Sequence, residues 1–228
     1  MNFKSGFFLF FCFLLSCSEP LQEENLSIFR YNQTSGIATL DPAFAKDQAT
    51  IWACNQLFSG LVQLNRNLEV RPSIAKSWEI SENGLQYIFF LRANVFFHSH
   101  EIFKEKRRVV ASDFTYSFNR LKSKELAAPG AWVLSNVESY SAINDSVFTI
   151  NFKKPFPPFL GLLSMQYCSV VPQEIIENSN FRQQPIGTGP FKFQYWKDGV
   201  KLVFRKNPNY FETEEGVQLP FLDAIAIT

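Results

Sequence analysis

The chain has 228 residues, of which 22 are Lys or Arg and 21 are Asp or Glu, so its formal net charge is +1. This length is enough for one large domain or two small ones. No basic stripe is evident, so no nucleic-acid partner is expected. The long, polar, strand-rich part of the chain argues against an integral membrane protein.

The N-terminus has the organisation of an export signal. A short basic start precedes the apolar run Phe7 to Leu15, which is too short to span a bilayer comfortably. Leu14-Leu15-Ser16-Cys17 then resembles the bacterial lipobox. We therefore predict a lipoprotein signal peptide over residues 1–16, lipid attachment at Cys17 and a polar tether over residues 17–25. The alternative is an ordinary signal peptide that happens to contain a cysteine.

The next segment predicts a strand, a turn and a helix. Weak alternation from Leu26 to Tyr31 indicates a first strand, and Leu40-Asp41-Pro42 is typical of a turn. Asp47 is a good N-cap for the helix that follows. The predicted buried face of this helix consists of Ile51, Cys54, Leu57 and Phe58.

Short strands are predicted over the following forty residues. Pro72–Lys76 reads as a single helical turn, and Trp78–Ile80 and Leu85–Leu91 read as a hairpin closed by Ser81–Gly84. Val95–His98 is predicted to be a further short strand.

His98 and His100 lie two residues apart, so on a strand they would project from the same face. Two histidines without a further ligand make a poor metal site, so no metal is predicted. The charged stretch Lys104–Arg108 reads as a solvated loop.

The middle of the chain predicts two helices and three strands. Ser112-Asp113 is expected to cap a helix whose buried face carries Phe114, Phe118 and Leu121. The remaining predicted elements are a hairpin of Val133–Tyr140 with Val147–Phe152, a buried strand over Tyr167–Val171 and a short helix from Pro172 to Glu177.

The segment Gln183–Phe211 contains an unusual chain crossing. Gly187, Thr188 and Gly189 are followed at once by a proline, so flexible and stiff backbone positions adjoin. A hairpin with strands at Phe191–Trp196 and Lys201–Arg205 follows. We interpret the crossing as a place where the chain passes between two lobes.

Four strings in this order, TLDP, IAKSWEISENGLQYIFFLRANVFFH, KPFPPFL and GTGPF, resemble the extracytoplasmic solute-binding proteins of the peptide and nickel class. The resemblance implies an α/β fold, with a mixed-sheet lobe like those of periplasmic binding proteins and a smaller inserted β-rich sub-domain. It assigns residues 26–60 and 183–228 to the lobe and residues 61–182 to the insertion. Family members are roughly twice this length, so we expect an N-terminal portion in which the second large lobe is absent.

The resemblance also implies a function. It predicts a monomeric lipoprotein on the periplasmic side of the cell envelope, without a cofactor, that captures peptides between lobes and delivers them to an ABC permease. Extended peptides need backbone donors and acceptors along a cleft wall. The predicted ligand-binding residues are Thr39, Leu40, Asp41, Trp132, Gly187, Thr188 and Gly189.

Other functions stay open at this point. A non-transport peptide sensor or a surface lipoprotein would share the same features. An exported hydrolase is a further class, although the chain contains no G-x-S-x-G, H-E-x-x-H or C-x-x-C motif and is predicted not to be an enzyme. The mature cysteines, Cys54 and Cys168, are predicted to be two buried thiols, with a disulfide as the alternative.

Overall fold

The computed structural model describes residues 26–181 and 184–228. The predicted signal peptide, the tether and Cys17 lie outside these residues, so their assignments stay predictions. The described residues form a mixed α/β structure, as predicted from the sequence, with two four-stranded and two two-stranded sheets. Within this part of the chain, no helix is both long and apolar enough to cross a bilayer.

The described strands and helices are as follows. The strands are β1 (Ile28–Tyr31), β2 (Val62–Leu64), β3 (Val70–Pro72), β4 (Ala75–Ile80), β5 (Gln86–Leu91), β6 (Val137–Asn144), β7 (Val147–Phe152), β8 (Phe191–Lys197), β9 (Lys201–Lys206), β10 (Thr213–Glu214), β11 (Val217–Gln218) and β12 (Ala224–Ile227). The helices are α1 (Gln48–Leu57), α2 (Ala111–Lys122), α3 (Phe159–Leu163) and α4 (Gln173–Asn178). Short 3₁₀ helices span Pro42–Phe44, Pro129–Leu134 and Gln166–Cys168.

One four-stranded sheet joins the two ends of the described chain, in the order β1–β12–β9–β8, and we call it the terminal sheet. β1 is parallel to β12, whereas the other neighbours are antiparallel. The predicted hairpin is present as β8 and β9, and it turns at Gly199 with φ +66°. Because side chains alternate along a strand, one face of this sheet adds Leu202, Phe204 and Ile227 to the core.

The second four-stranded sheet is antiparallel throughout, in the order β4–β5–β7–β6. Helix α2 covers it with the predicted face, because Phe114, Phe118 and Leu121 are all buried. The ring of Phe118 lies 5.6 Å from that of Phe148 on β7, in an edge-on arrangement. All of these elements fall in the segment predicted to be an insertion, and the division into domains stays a prediction.

The two helix starts differ in how well the sequence located them. Asp47 caps α1 as predicted, since its Oδ1 accepts a hydrogen bond from the Thr50 backbone N–H at 2.9 Å. The prediction for α2 was wrong in register, because the helix begins at Ala111. Asp113 is therefore the third helical residue, and its Oδ2 accepts from the Val110 backbone N–H at 2.8 Å.

The helical turn predicted for Pro72–Lys76 was wrong. This segment is extended, with β3 ending at Pro72 and β4 beginning at Ala75. The backbone N–H groups of Ile74 and Ala75 donate to the carbonyls of Gly60 and Leu61 at 3.2 and 3.0 Å. Backbone hydrogen bonds to residues more than ten positions away thus outweigh the tendency of Pro72 to begin a helical turn.

The strand predicted for Tyr167–Val171 was also wrong. Its first residues belong to the 3₁₀ helix Gln166–Cys168, and the rest joins no sheet. Cys168, Val170 and Val171 are buried, so the apolar run correctly indicated burial. A continuous apolar run does not by itself indicate strand pairing.

The two described cysteines, Cys54 and Cys168, are free and buried, which confirms the prediction of two thiols. Burial raises the pKa of the Cys168 thiol to about 12. Burial also raises the pKa of the Cys54 thiol, and the nearby Asp41 and Asp47 raise it further. Both groups therefore stay protonated and pack as small apolar side chains.

Candidate functional site

A groove runs along the irregular segment between β1 and the start of α1. Its larger part has a volume of about 1010 Å³ and lies between residues 33–49 and the β8–β9 hairpin. Its smaller part, about 530 Å³, continues towards residues 127–129. Ala38 and Asp47 line both parts, so we treat them as one continuous groove.

The walls of the larger part are about equally polar and apolar and carry few charges. Its lining residues are Gln33, Ser35, Gly36, Ile37, Ala38, Asp47, Gln48, Ala49, Asn180, Trp196 and Asp198. This set provides amide and hydroxyl groups that can donate or accept hydrogen bonds, two carboxylates and one large aromatic wall. Such a lining fits a ligand with its own alternating donors and acceptors, as in an extended peptide backbone.

The first group of predicted site residues lies at the smaller part of the groove. Thr39 and Asp41 line it, whereas the Leu40 side chain is fully buried in the core. Trp132 is 53% exposed and belongs to the 3₁₀ helix that begins at Pro129, another lining residue. The ligand contacts predicted for these four residues stay a prediction.

Asp41 already has partners within the chain. Its two carboxylate oxygens accept from Nη1 and Nη2 of Arg120 at 3.0 and 2.5 Å. Its Oδ1 also accepts from the Ala43 backbone N–H at 3.0 Å, which caps the 3₁₀ helix Pro42–Phe44. Through Arg120, Asp41 thus connects the segment that lines the groove to α2.

We expect Arg120→Met to lower the free energy of unfolding by about 2 kcal/mol, because Asp41 would lose both charge-assisted hydrogen bonds in a largely buried site. Chemical denaturation would measure this change. Arg108→Met is the matched control, since Arg108 pairs with the exposed Asp145 at 3.2 Å. Its loss should cost less than about 1 kcal/mol, and an equal cost for both variants would contradict this account.

The second group, Gly187, Thr188 and Gly189, lies at the opposite end of α1. The Gly189 backbone N–H donates to the carbonyl of Leu57, the last residue of the helix, at 2.8 Å. Helix α1 has ten residues and is therefore about 15 Å long. The structure thus divides the predicted site residues into two clusters, and only Thr39 and Asp41, both in the first cluster, line the groove.

The crossing is packed so closely that two glycines are required. A Cβ atom on Gly187 would lie 2.0 Å from the Leu57 carbonyl oxygen, and one on Gly189 would lie 2.5 Å from the Gln56 carbonyl oxygen. Thr188 is buried, and its Oγ1 has no hydrogen-bond partner within the described residues. The absence of a side chain at Gly187 and Gly189 thus serves close packing.

His98 holds this crossing in place, a role that the sequence did not indicate. Its backbone N–H donates to the Gly187 carbonyl at 2.8 Å, and its Nδ1 accepts from the Gly187 N–H at 3.3 Å. Its Nε2 lies 3.0 Å from the Gly189 carbonyl and donates to it. This pattern requires the neutral ring with the proton on Nε2.

The electrostatics of His98 agree with the neutral form. Burial lowers the pKa of the His98 imidazole to about 4, although the hydrogen bond to the Gly189 carbonyl acts in the opposite direction. The nearby Lys192 lowers it further. Among the described residues, no group of three or more His, Cys, Asp and Glu side chains is arranged to hold a metal ion.

Asn207 completes the crossing from the other side. Its Nδ2 donates to the Gly189 carbonyl at 2.9 Å, and its backbone N–H donates to the Pro190 carbonyl at 2.9 Å. Asn207, which directly follows β9, therefore helps to position the crossing.

A family model described as "Bacterial extracellular solute-binding proteins, family 5 Middle" matches residues 69–228. The chain belongs to this family. Proteins of this family bind solutes, and the relatives described below are binding proteins and not enzymes.

The family includes curated relatives that are named for peptide binding. The chain is 29% identical to di/tripeptide-binding protein 2 of Pseudomonas aeruginosa over 166 residues, which are 65% of this chain and 31% of the relative. It is 27% identical to the dipeptide-binding protein of Escherichia coli over 177 residues, 69% of this chain and 33% of the relative. The chain spans about a third of the length of the curated relatives that it matches.

Solved structures share the fold. The periplasmic binding protein DppA from Helicobacter pylori, in complex with the peptide STSA, superposes with a TM-score of 0.78 at 27% identity, covering 88% of this chain and 42% of that one. NikZ from Campylobacter jejuni, in complex with Ni(L-His), gives a TM-score of 0.73 at 30% identity, with 89% and 38% covered.

Proposed function

We propose that this chain forms one wall of a peptide-binding cleft and that the groove along residues 33–49 is part of that wall. The observation that carries the proposal is the polar lining of the groove, which offers backbone-like donors and acceptors beside the aromatic wall of Trp196. The names of the relatives support a peptide ligand, since several are di/tripeptide-binding proteins.

The charge of the groove favours one orientation of the ligand. Asp198 lines only the larger part, where no lysine or arginine lines the groove, whereas Asp47 lines both parts. Lys46 lines only the smaller part. A peptide is therefore expected to place its ammonium group in the larger part and its carboxylate end towards Lys46.

The proposal includes transport and anchoring. The chain would act as the binding component of an ABC importer, hold its ligand as a monomer and present it to a permease at the membrane. Cys17 would carry the lipid that keeps the domain on the periplasmic side of the cell envelope. Cys17→Ser should move the chain from the membrane fraction to the soluble fraction, because it removes the thiol that would carry the lipid.

We expect Ala38→Trp to abolish detectable peptide binding, because the indole would fill the point where both parts of the groove meet. Isothermal titration calorimetry with defined di-, tri- and tetrapeptides measures the effect, with a loss of at least about tenfold in affinity. Ala38 is exposed, so the larger side chain does not need to enter the core.

Ala93→Trp is the matched control, because Ala93 is an exposed turn residue outside the lining of the groove. It should bind peptides as the unmodified chain does. Equal binding by both variants would place the peptide elsewhere and overturn the groove assignment. Failure of the unmodified chain to bind any of the peptides would overturn the assignment of the groove as a peptide site of this chain.

A further inference from the structure

The outer face of the terminal sheet, which points away from α1, collects positive charge from three strands. Strand register places five cations on it, and a bulge in β8 between Phe193 and Tyr195 brings Lys197 onto the same face as Lys192. These cations are Arg30 on β1, Lys201 and Arg205 on β9, and Lys192 and Lys197 on β8. We call this surface the basic face.

Two pairs of these cations lie directly opposite each other. Lys192 pairs in register with Arg205, and Lys197 pairs with Lys201. Like charges at opposed cross-strand positions destabilise a sheet. The folded sheet therefore holds like charges opposite each other, and their repulsion lowers its stability.

Carboxylates do not offset this charge. The other strand residues of the basic face are apolar, namely Ile28, Tyr195, Val203, Ala224 and Ala226. In the described part of the chain, none of the five cations forms an ion pair. The chain has nearly equal numbers of acidic and basic residues, so this local excess is a feature of the tertiary structure.

The shape of the face limits the kinds of anion that fit it. The two positions on β12 are alanines that are themselves buried, whereas the cations on the flanking strands are exposed, apart from the half-buried Lys192. A broad anionic surface can contact all of these cations at once. Attraction to such a surface would also offset the repulsion within the two opposed pairs.

The position of the face in the chain favours a membrane as that surface. β1 carries Arg30 and begins at Ile28, and the predicted lipid anchor is Cys17. Eleven residues span at most about 40 Å even when fully extended. The tether therefore keeps β1 within about 40 Å of the membrane that would contain the anchor, and exposed cations that come within about a Debye length of that membrane are attracted to its anionic headgroups.

We propose that the basic face binds anionic phospholipid headgroups and orients the domain on the membrane that anchors it. The choice of membrane rests on the anchor in the proposed function, whereas the affinity for anionic lipid does not require the anchor or the peptide. The domain would then lie with the terminal sheet against the lipid, instead of rotating freely on its tether.

The test uses the full chain with Cys17→Ser, so that no acyl chain contributes to binding. Co-sedimentation compares vesicles that contain phosphatidylglycerol with vesicles of pure phosphatidylcholine. We expect at least about tenfold tighter binding to the anionic vesicles, and the difference should shrink as salt is added. The apolar run near the N-terminus and the short basic start before it are the same in every variant, so they cannot account for a difference between variants.

The decisive variant is K201E/R205E, which should weaken binding to the anionic vesicles by about thirtyfold or more. It also converts both opposed pairs into pairs of opposite charge, so its thermal midpoint should stay the same or rise. Loss of vesicle binding in this variant thus separates lipid recognition from misfolding. K104E/K124E changes two exposed lysines outside the sheet by the same net charge and should keep the binding.

Three results would overturn the proposal. These are equal binding to both vesicle types, unchanged binding by K201E/R205E, and equal losses in K201E/R205E and K104E/K124E. In the first case, an acidic protein segment would replace the membrane as the partner of the basic face. Titration of the same variants with peptides measures the affinity of the groove independently of vesicle binding. Failure of one proposal therefore does not decide the other.

Discussion

Replacing Gly187 with alanine is expected to lower the free energy of unfolding by about 3 kcal/mol. The new Cβ would lie 2.0 Å from the Leu57 carbonyl oxygen and 2.6 Å from Cδ1 of Phe58. Both groups belong to the end of α1, so the crossing and the helix would have to separate. Separation would weaken the hydrogen bond from the Gly189 N–H to the Leu57 carbonyl. Denaturant titration followed by circular dichroism measures the loss.

Gly161→Ala is the matched control. Gly161 lies in α3, and a Cβ there would meet no heavy atom within 4 Å. Alanine has a higher helix propensity than glycine, so this variant should be neutral or more stable by up to about 1 kcal/mol. A Gly187→Ala protein as stable as the unmodified chain would show that the close approach at the crossing is wrong.

The stability of the folded chain should fall by about 3 kcal/mol between pH 6.5 and pH 4 through His98 alone. Burial depresses the pKa of His98 from 6.5 to about 4 in the folded state. The unfolded chain therefore binds a proton at a higher pH than the folded chain does. The contribution of His98 is fully present above pH 6.5 and is lost as the pH falls towards 4.

His98→Gln isolates this effect, because an amide can retain hydrogen bonds to the crossing without titrating. Its unfolding free energy should fall less steeply over this pH range than that of the unmodified chain. His100 is the other histidine of the chain, and His100→Gln should preserve the steep dependence. Identical pH profiles for all three proteins would refute the assignment of a neutral, buried His98.

The two clusters at the ends of α1 suggest how the crossing and the groove are related. Asp47 caps the helix at the groove, and the Leu57 carbonyl accepts from Gly189 at the crossing. A displacement of the crossing is therefore carried to the groove by one rigid element. Substitutions at Gly187 that do not unfold the chain are expected to alter peptide affinity, even though this residue does not line the groove.

Local signals in the sequence determined much of the fold. Asp47 caps α1, Phe114, Phe118 and Leu121 face the core, and β8 and β9 pair around Gly199, all as predicted. Each of these features depends on residues a few positions apart in the chain, where periodicity and capping act. The order of the motifs likewise indicated the family that the comparisons show.

The tertiary structure decided which residues form each site. Arg120 binds Asp41 from 79 positions away, and His98 bonds Gly189 across 91 positions. The basic face arises because strand register aligns cations from distant parts of the sequence. Contacts of this kind depend on how helices and sheets pack together, and no local pattern of residue types encodes them. The sequence alone therefore located α1, the face of α2 that is buried, the β8–β9 hairpin and the glycine crossing. The groove, the histidine that holds the crossing and the charged surface required the folded chain.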